Sequence, residues 1–296
     1  MTLLTPARAD GQAQGRRPLG RLLERGLTLY VPLLLFVVVT LFPFLWMLVT
    51  SVKPNAELIN PKAMPLLVRK PTLEHFRYLF NQTEFIRWAG NSLVVTVAST
   101  IISLICGVLA GYSLARLRFW GSGVAGLAII TTYLVPQTLL FIPLMTLISN
   151  FGLQNSLWAM IVTYPTILIP FCTWMLAGYF RSIPRELEEC AMIDGASRYR
   201  AMYSIVLPLA IPGILSAGIF SFTLSWNEYL YALVFTTSTE IKTLPIGITT
   251  ELIKGDVFFW GSLMGGALLG SVPVALIYSF FVDNYVAGLT AGAVKG

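Results

Sequence analysis

Charge, histidine and cysteine are all scarce in this chain of 296 residues. Only 11% of the residues are Asp, Glu, Lys or Arg, too little ionic surface to coat a water-soluble globule of this size. The single histidine, His75, has no cysteine or second histidine beside it with which to hold a metal. Cysteines occur only at 106, 172 and 190, too far apart for a disulfide framework or a metal spacing. No G-x-x-x-x-G-K-[ST] phosphate loop is present, so nothing points to nucleotide hydrolysis or to any other catalytic residue. The 20 Lys and Arg residues give a net charge of +6, but they are dispersed between apolar runs and form no basic patch for nucleic acid. What fills the space is hydrophobic: 56% of the chain, with a mean hydropathy of +0.74. The composition is that of a membrane protein.

A hydrocarbon core of about 30 Å takes about 20 helical residues to cross. Six runs of that kind are present, at 27–50, 88–114, 124–148, 156–179, 209–235 and 258–281. Each reads as helix because an unpaired amide in lipid costs several kcal/mol, and a helix satisfies its amides internally. The expectation is an all-α polytopic protein with six transmembrane helices. Its parts are an N-terminal tail at 1–26, a membrane domain at 27–283 with a long loop at 181–208, and a C-terminal tail at 284–296. A short amphipathic surface helix from Leu19 is the alternative to a loose N-terminal tail. The arginines before the first run and after the second and fourth place both termini in the cytoplasm.

The segment 181–208 has a helical grammar of its own. Ser182 and Pro184 make a helix start, and Glu186, Glu188 and Glu189 fall in or near the first turns, where the helix dipole favours carboxylates. Gly195 can take the left-handed geometry that ends a helix, and Ser197 can cap a second one. Leu187, Cys190 and Ala191 share a stripe suited to a protein partner; a solvated loop on the membrane surface is the other reading of this pattern.

The residue order is more specific. Glu189-Cys190-Ala191, three residues, Gly195, nine residues, then Ile205-Val206-Leu207-Pro208 resembles the EAA signature of ABC-importer permeases, with Cys190 at a position where alanine is usual. The tail 286–296, Ser225-Trp226-Asn227-Glu228-Tyr229 and Asn91-Ser92 are similar to the smaller permease of carbohydrate importers of the maltose-transporter type. That resemblance implies the type I importer permease (MetI-like) fold. It implies a second permease subunit, two copies of a cytoplasmic ATPase subunit that bind ATP and Mg, and an extracytoplasmic solute-binding protein. It also implies an ATPase-coupling surface of Glu186, Leu187, Glu189, Ala191, Asp194 and Gly195. There Glu189 pairs with a basic residue of the ATPase, Gly195 makes the turn, and Leu187 and Ala191 supply apolar contact. The implied cargo is a sugar or polyol.

For the solute pathway the polar residues of the spans are the candidates: Gln137, Trp226, Asn227, Glu228 and Tyr229. Glu228 is the clearest, because a carboxylate in a span must face protein or water. An aromatic interface belt around it is the competing reading. Gly261, Gly265, Gly266 and Gly270 are read as a helix-packing face, with the second permease as one packing partner. An ion-coupled secondary transporter of a small polar solute is the rival function, but it would normally carry several ionisable residues in its spans.

Overall fold

The computed structural model describes residues 26–117 and 119–290, with side chains as far as Val282. The surface-helix alternative from Leu19 and the glycine-rich end of the C-terminal tail lie outside the described residues. The chain divides into two units, 1–47 and 48–296. The first consists, where described, of most of α1 (Gly26–Ser51), whose apolar window has none of its residues buried. A helix that is apolar on every side is a span facing lipid.

The second unit is a helical bundle. In chain order it contains α2 (Glu74–Gln82), α3 (Phe85–Arg116), α4 (Ser122–Leu134), α5 (Gln137–Asn150), α6 (Leu157–Ser182), α7 (Glu186–Ile193), α8 (Arg198–Leu209), α9 (Ile211–Trp226), α10 (Leu230–Phe235) and α11 (Leu244–Leu252). A two-residue-per-strand hairpin, β1 (Ile253–Lys254) with β2 (Val257–Phe258), leads into α12 (Trp260–Thr290). Four helices are long and apolar enough to cross a membrane, and up to six spans result if each bent pair counts as one. The bent pairs are α4 with α5, at 96°, and α8 with α9, at 71°.

The prolines of the third and fourth runs are natural places for such bends. The third span breaks at Val135–Pro136, whereas Pro143 and Pro170 sit inside continuous helices. The fifth run, 209–235, is in fact α9, a break at 227–229, and α10. The last helix continues to Thr290, beyond the expected start of the tail at 284.

Helix α3 is the axis, about 48 Å long at the usual rise of 1.5 Å per residue, and packs most extensively against α6, with α9 against both. Its approach to α6 depends on two glycines. A Cβ at Gly107 would collide with Cys172, and one at Gly111 would lie 3.0 Å from the Ala177 backbone nitrogen. The glycines of α12 serve the chain's own core: Gly261 makes room for His75, Gly266 for Ile248 and Gly270 for Leu244.

At the start of α3 the loop between α10 and α12 is pinned down. Asn91 Nδ2 donates to the carbonyls of Glu240 and Lys242 at 2.7 and 2.9 Å, and Ser92 Oγ accepts from Leu244 N at 2.7 Å. Asn155 accepts from the amides of Thr237 and Ser238. Within the loop, Lys242 Nζ lies 2.8 Å from Glu251 Oε1. That hydrogen bond, reinforced by charge, holds the Glu251 carboxyl below its ordinary value of 4.5. The contribution to stability is complete above that value and is lost as pH falls through the lower folded one. Amide protection factors across 239–252 should therefore drop at acid pH and drop likewise at pH 7 in Lys242→Met; pH-independent protection would show that the pair holds nothing.

Candidate functional site

The loop 181–208 folds as an elbow of two helices at the end of the bundle opposite the Asn91 loop. The first arm, α7, begins without a side-chain cap: Ser182 Oγ donates back to Tyr179 C=O at 2.7 Å, so it belongs to α6 rather than starting α7. Three acids in the first turn supply the dipole complement instead. The arm ends at Gly195, with φ +89°. Gly195 N donates to Met192 C=O and Ala196 N to Ala191 C=O at 3.1 and 2.9 Å, the paired bonds of a left-handed helix stop. A Cβ there would meet nothing within 4 Å, so the glycine is required by its backbone conformation alone. Ser197 caps α8 as its sequence position suggests, accepting from Arg200 N at 3.3 Å.

The outer face of the elbow gathers most of the expected coupling residues. Glu186, Leu187, Glu189, Asp194 and Gly195 are exposed, and Ala191 is half-buried. Three further large side chains of the elbow are exposed and were missed from sequence: Ile193, 84% exposed, on the first arm, and Tyr199 and Tyr203, 83% and 73%, on the second. The signal for the tyrosines was their four-residue spacing beyond the turn. The inner face is different, because Glu188 is buried and meets Tyr112 and Arg116 at the end of α3. An acidic, apolar outer face on a helix whose inner face is locked is suited to docking another protein.

The pathway candidates are divided. Trp226 is buried; it donates through Nε1 to Gly270 C=O at 3.0 Å and stacks on Phe222, so its ring presents no free face. Glu228 accepts from the amides of Tyr231 and Ala232 at 2.8 and 3.1 Å, closing the start of α10 after the break in the fifth span. Asn227 and Tyr229 are exposed at that break. Gln137, also exposed, begins α5 after the break in the third span, and its carbonyl is 3.5 Å from Tyr231 Oη. Helix α10, which follows the break in the fifth span, thus packs on α5, which follows the break in the third, with the Tyr231 side chain reaching Gln137.

The family model for the binding-protein-dependent transport system inner membrane component matches residues 103–290, which includes the elbow and both interrupted helices. The chain belongs to this family. Among relatives of such inner membrane components, the inner membrane ABC transporter permease protein YcjP of Escherichia coli is 38% identical over 90% of this chain and 95% of its own length. The sulfoquinovosyl glycerol transport system permease protein SmoH of Agrobacterium fabrum is 38% identical over 86% of this chain and 89% of its own. The trehalose/maltose transport system permease protein MalG of Thermococcus litoralis is 32% identical over 90% and 96%. Among solved structures, a chain of a bacterial ABC transporter involved in the import of the acidic polysaccharide alginate superposes with a TM-score of 0.76 at 20% identity, covering 92% of this chain and 99% of that one. The fold is that of an ABC importer permease.

Proposed function

We propose that this chain is one of two membrane subunits of an ATP-driven importer for a sugar or a related polyol, and that the elbow is its coupling element. The carrying observation is the outward face of α7 and the turn after it, where Glu189, Leu187 and Ile193 stand exposed on a helix fastened from behind. The partners are a second permease, two ATPase subunits that carry ATP and Mg, and an extracytoplasmic binding protein that delivers the solute. The permease itself is non-catalytic. The elbow lies on the cytoplasmic side, with both termini, because Arg116, Arg181, Arg185, Arg198 and Arg200 cluster at that end. Closure of the ATPases on ATP moves the elbow, and the helices turn as rigid bodies between inward and outward states.

Glu189, exposed and beside apolar contacts, pairs with a basic group in the ATPase cleft, where exclusion of water strengthens the bond. Gln137, Asn227 and Tyr229 present hydrogen-bonding groups to solute at the two breaks. Glu228 supports that site from behind by closing α10. This use of Glu228 as a helix cap gives the acid a local partner, which tells against the ion-coupled reading that would need it as a carrier site.

The sugar relatives make the test specific. Purified with its partners in lipid vesicles, the complex should hydrolyse ATP severalfold faster when binding protein and one member of a sugar and polyol panel are added together. A chain that captures no ATPase subunit, or hydrolysis indifferent to every member of the panel, would refute the reading.

A further inference from the structure

The inner face of α7 carries a second message, which rests on the importer reading above. Of the three acids in the first turn of α7, Glu188 alone is turned inward, and it is 5% exposed. It meets Tyr112 and Arg116, which sit four residues apart on one face of the last turns of α3 and are themselves buried. Tyr112 Oη donates to Glu188 Oε1, and Arg116 Nε lies 3.6 Å from Glu188 Oε2. Two more links run beside them: Arg116 Nη2 donates to Ile183 C=O at 2.7 Å, and Arg185 Nη2 donates to Ala115 C=O at 2.8 Å.

These links are made by long side chains, whereas the backbone packing of α7 is chiefly on α8. A buried ion pair is weak evidence for stability, since apolar residues of similar volume would often serve as well. What it supplies here is direction: a carboxylate that accepts from a phenol through one oxygen and faces a guanidinium as an ion pair through the other holds an eight-residue helix in one orientation. Helix α3 is separated from the elbow in sequence by α4, α5 and α6; the elbow runs directly into α6 and α9, which pack along α3, and the Glu188 links add to that packing a direct tie to the end of α3 itself.

We infer that Glu188, with Arg116 and Tyr112, is a positioning residue for transport, a clasp that makes the end of α3 move with the ATPase-facing elbow. Motion delivered to α3 reaches α6 and α9, which pack along it.

The test follows ATP-induced changes in amide exchange in the whole purified complex, with ATP alone as the probe. In the unaltered complex, ATP should alter exchange both at 186–201 and at 109–117. In the paired variant Glu188→Gln with Arg116→Gln, which leaves no orphan charge to unfold the site, the elbow should still respond. The response at 109–117 should fall to about a tenth. Tyr112→Phe, which removes one hydrogen bond and keeps the shape, should reduce that response by about threefold. A merely structural role would raise exchange equally with and without ATP and leave the ATP-induced difference intact; that result in both variants overturns the clasp. An unaltered complex in which ATP changes neither segment would instead overturn the importer reading.

Discussion

Glu189→Lys is expected to reduce ATP-driven uptake by roughly a hundredfold, the scale of losing one partner of a desolvated charge pair and leaving the other unpaired. The side chain is exposed on the outer face of α7 and makes no contact that the bundle needs, so membrane insertion and helix packing should be unchanged. Gly195→Val should have a similar effect by another route. Its φ of +89° is a conformation that a β-branched residue adopts only at a cost of about 1–3 kcal/mol, so the turn would relax and the two arms of the elbow would lose their angle. Uptake and protease resistance of the bundle are measured together in membrane vesicles. Full ATP-dependent uptake in both variants would remove the elbow from the coupling path.

Gly107→Val should have the largest effect on the fold. Gly107 faces α6 where the two helices are closest, and the added side chain would strike the Cys172 Cβ and crowd its backbone carbonyl carbon at 3.2 Å. Neither is the far end of a flexible group, so the helices themselves must separate. Overpacking of this kind costs about 1–3 kcal/mol, enough to lower the melting temperature of the purified chain by about 5 °C or more. Gly178→Ala is the control. Nothing lies within 4 Å of a Cβ there, and alanine favours a helix interior over glycine, so melting should be unchanged or slightly raised. Equal melting of the Gly107→Val variant and the unaltered chain would show that the α3–α6 contact is not a tight one.

Much of this was legible in the sequence because lipid imposes simple rules. The long apolar runs gave α1, α3 and α6 to within a few residues and the start of α12, though not its continuation to Thr290, since run length is fixed by membrane thickness. The helix–turn–helix of the elbow was legible from Gly195 and Ser197, whose local conformations follow from their own chemistry. Tertiary effects were not. Glu188 and Glu189 are adjacent acids with the same propensities, and only the position of α3 decides that one is buried and the other exposed. Trp226 and Glu228 read as groups facing a solute until Gly270 C=O and the amides of α10 appear as their partners. Asn91 and Ser92 act by pinning a loop some 150 positions away, a pairing that no local pattern encodes.

The coupling role of the elbow is tested most directly through its own thiol. Cys190 is exposed on α7, next to Glu189, whereas Cys172 is buried within the bundle. A short cross-linker placed on Cys190 in the native membrane should capture the ATPase subunit, with a yield that changes when ATP is bound. Labelling of Cys190 by an impermeant reagent from outside intact cells, with no ATPase captured, would place the elbow on the wrong side of the membrane and contradict the mechanism.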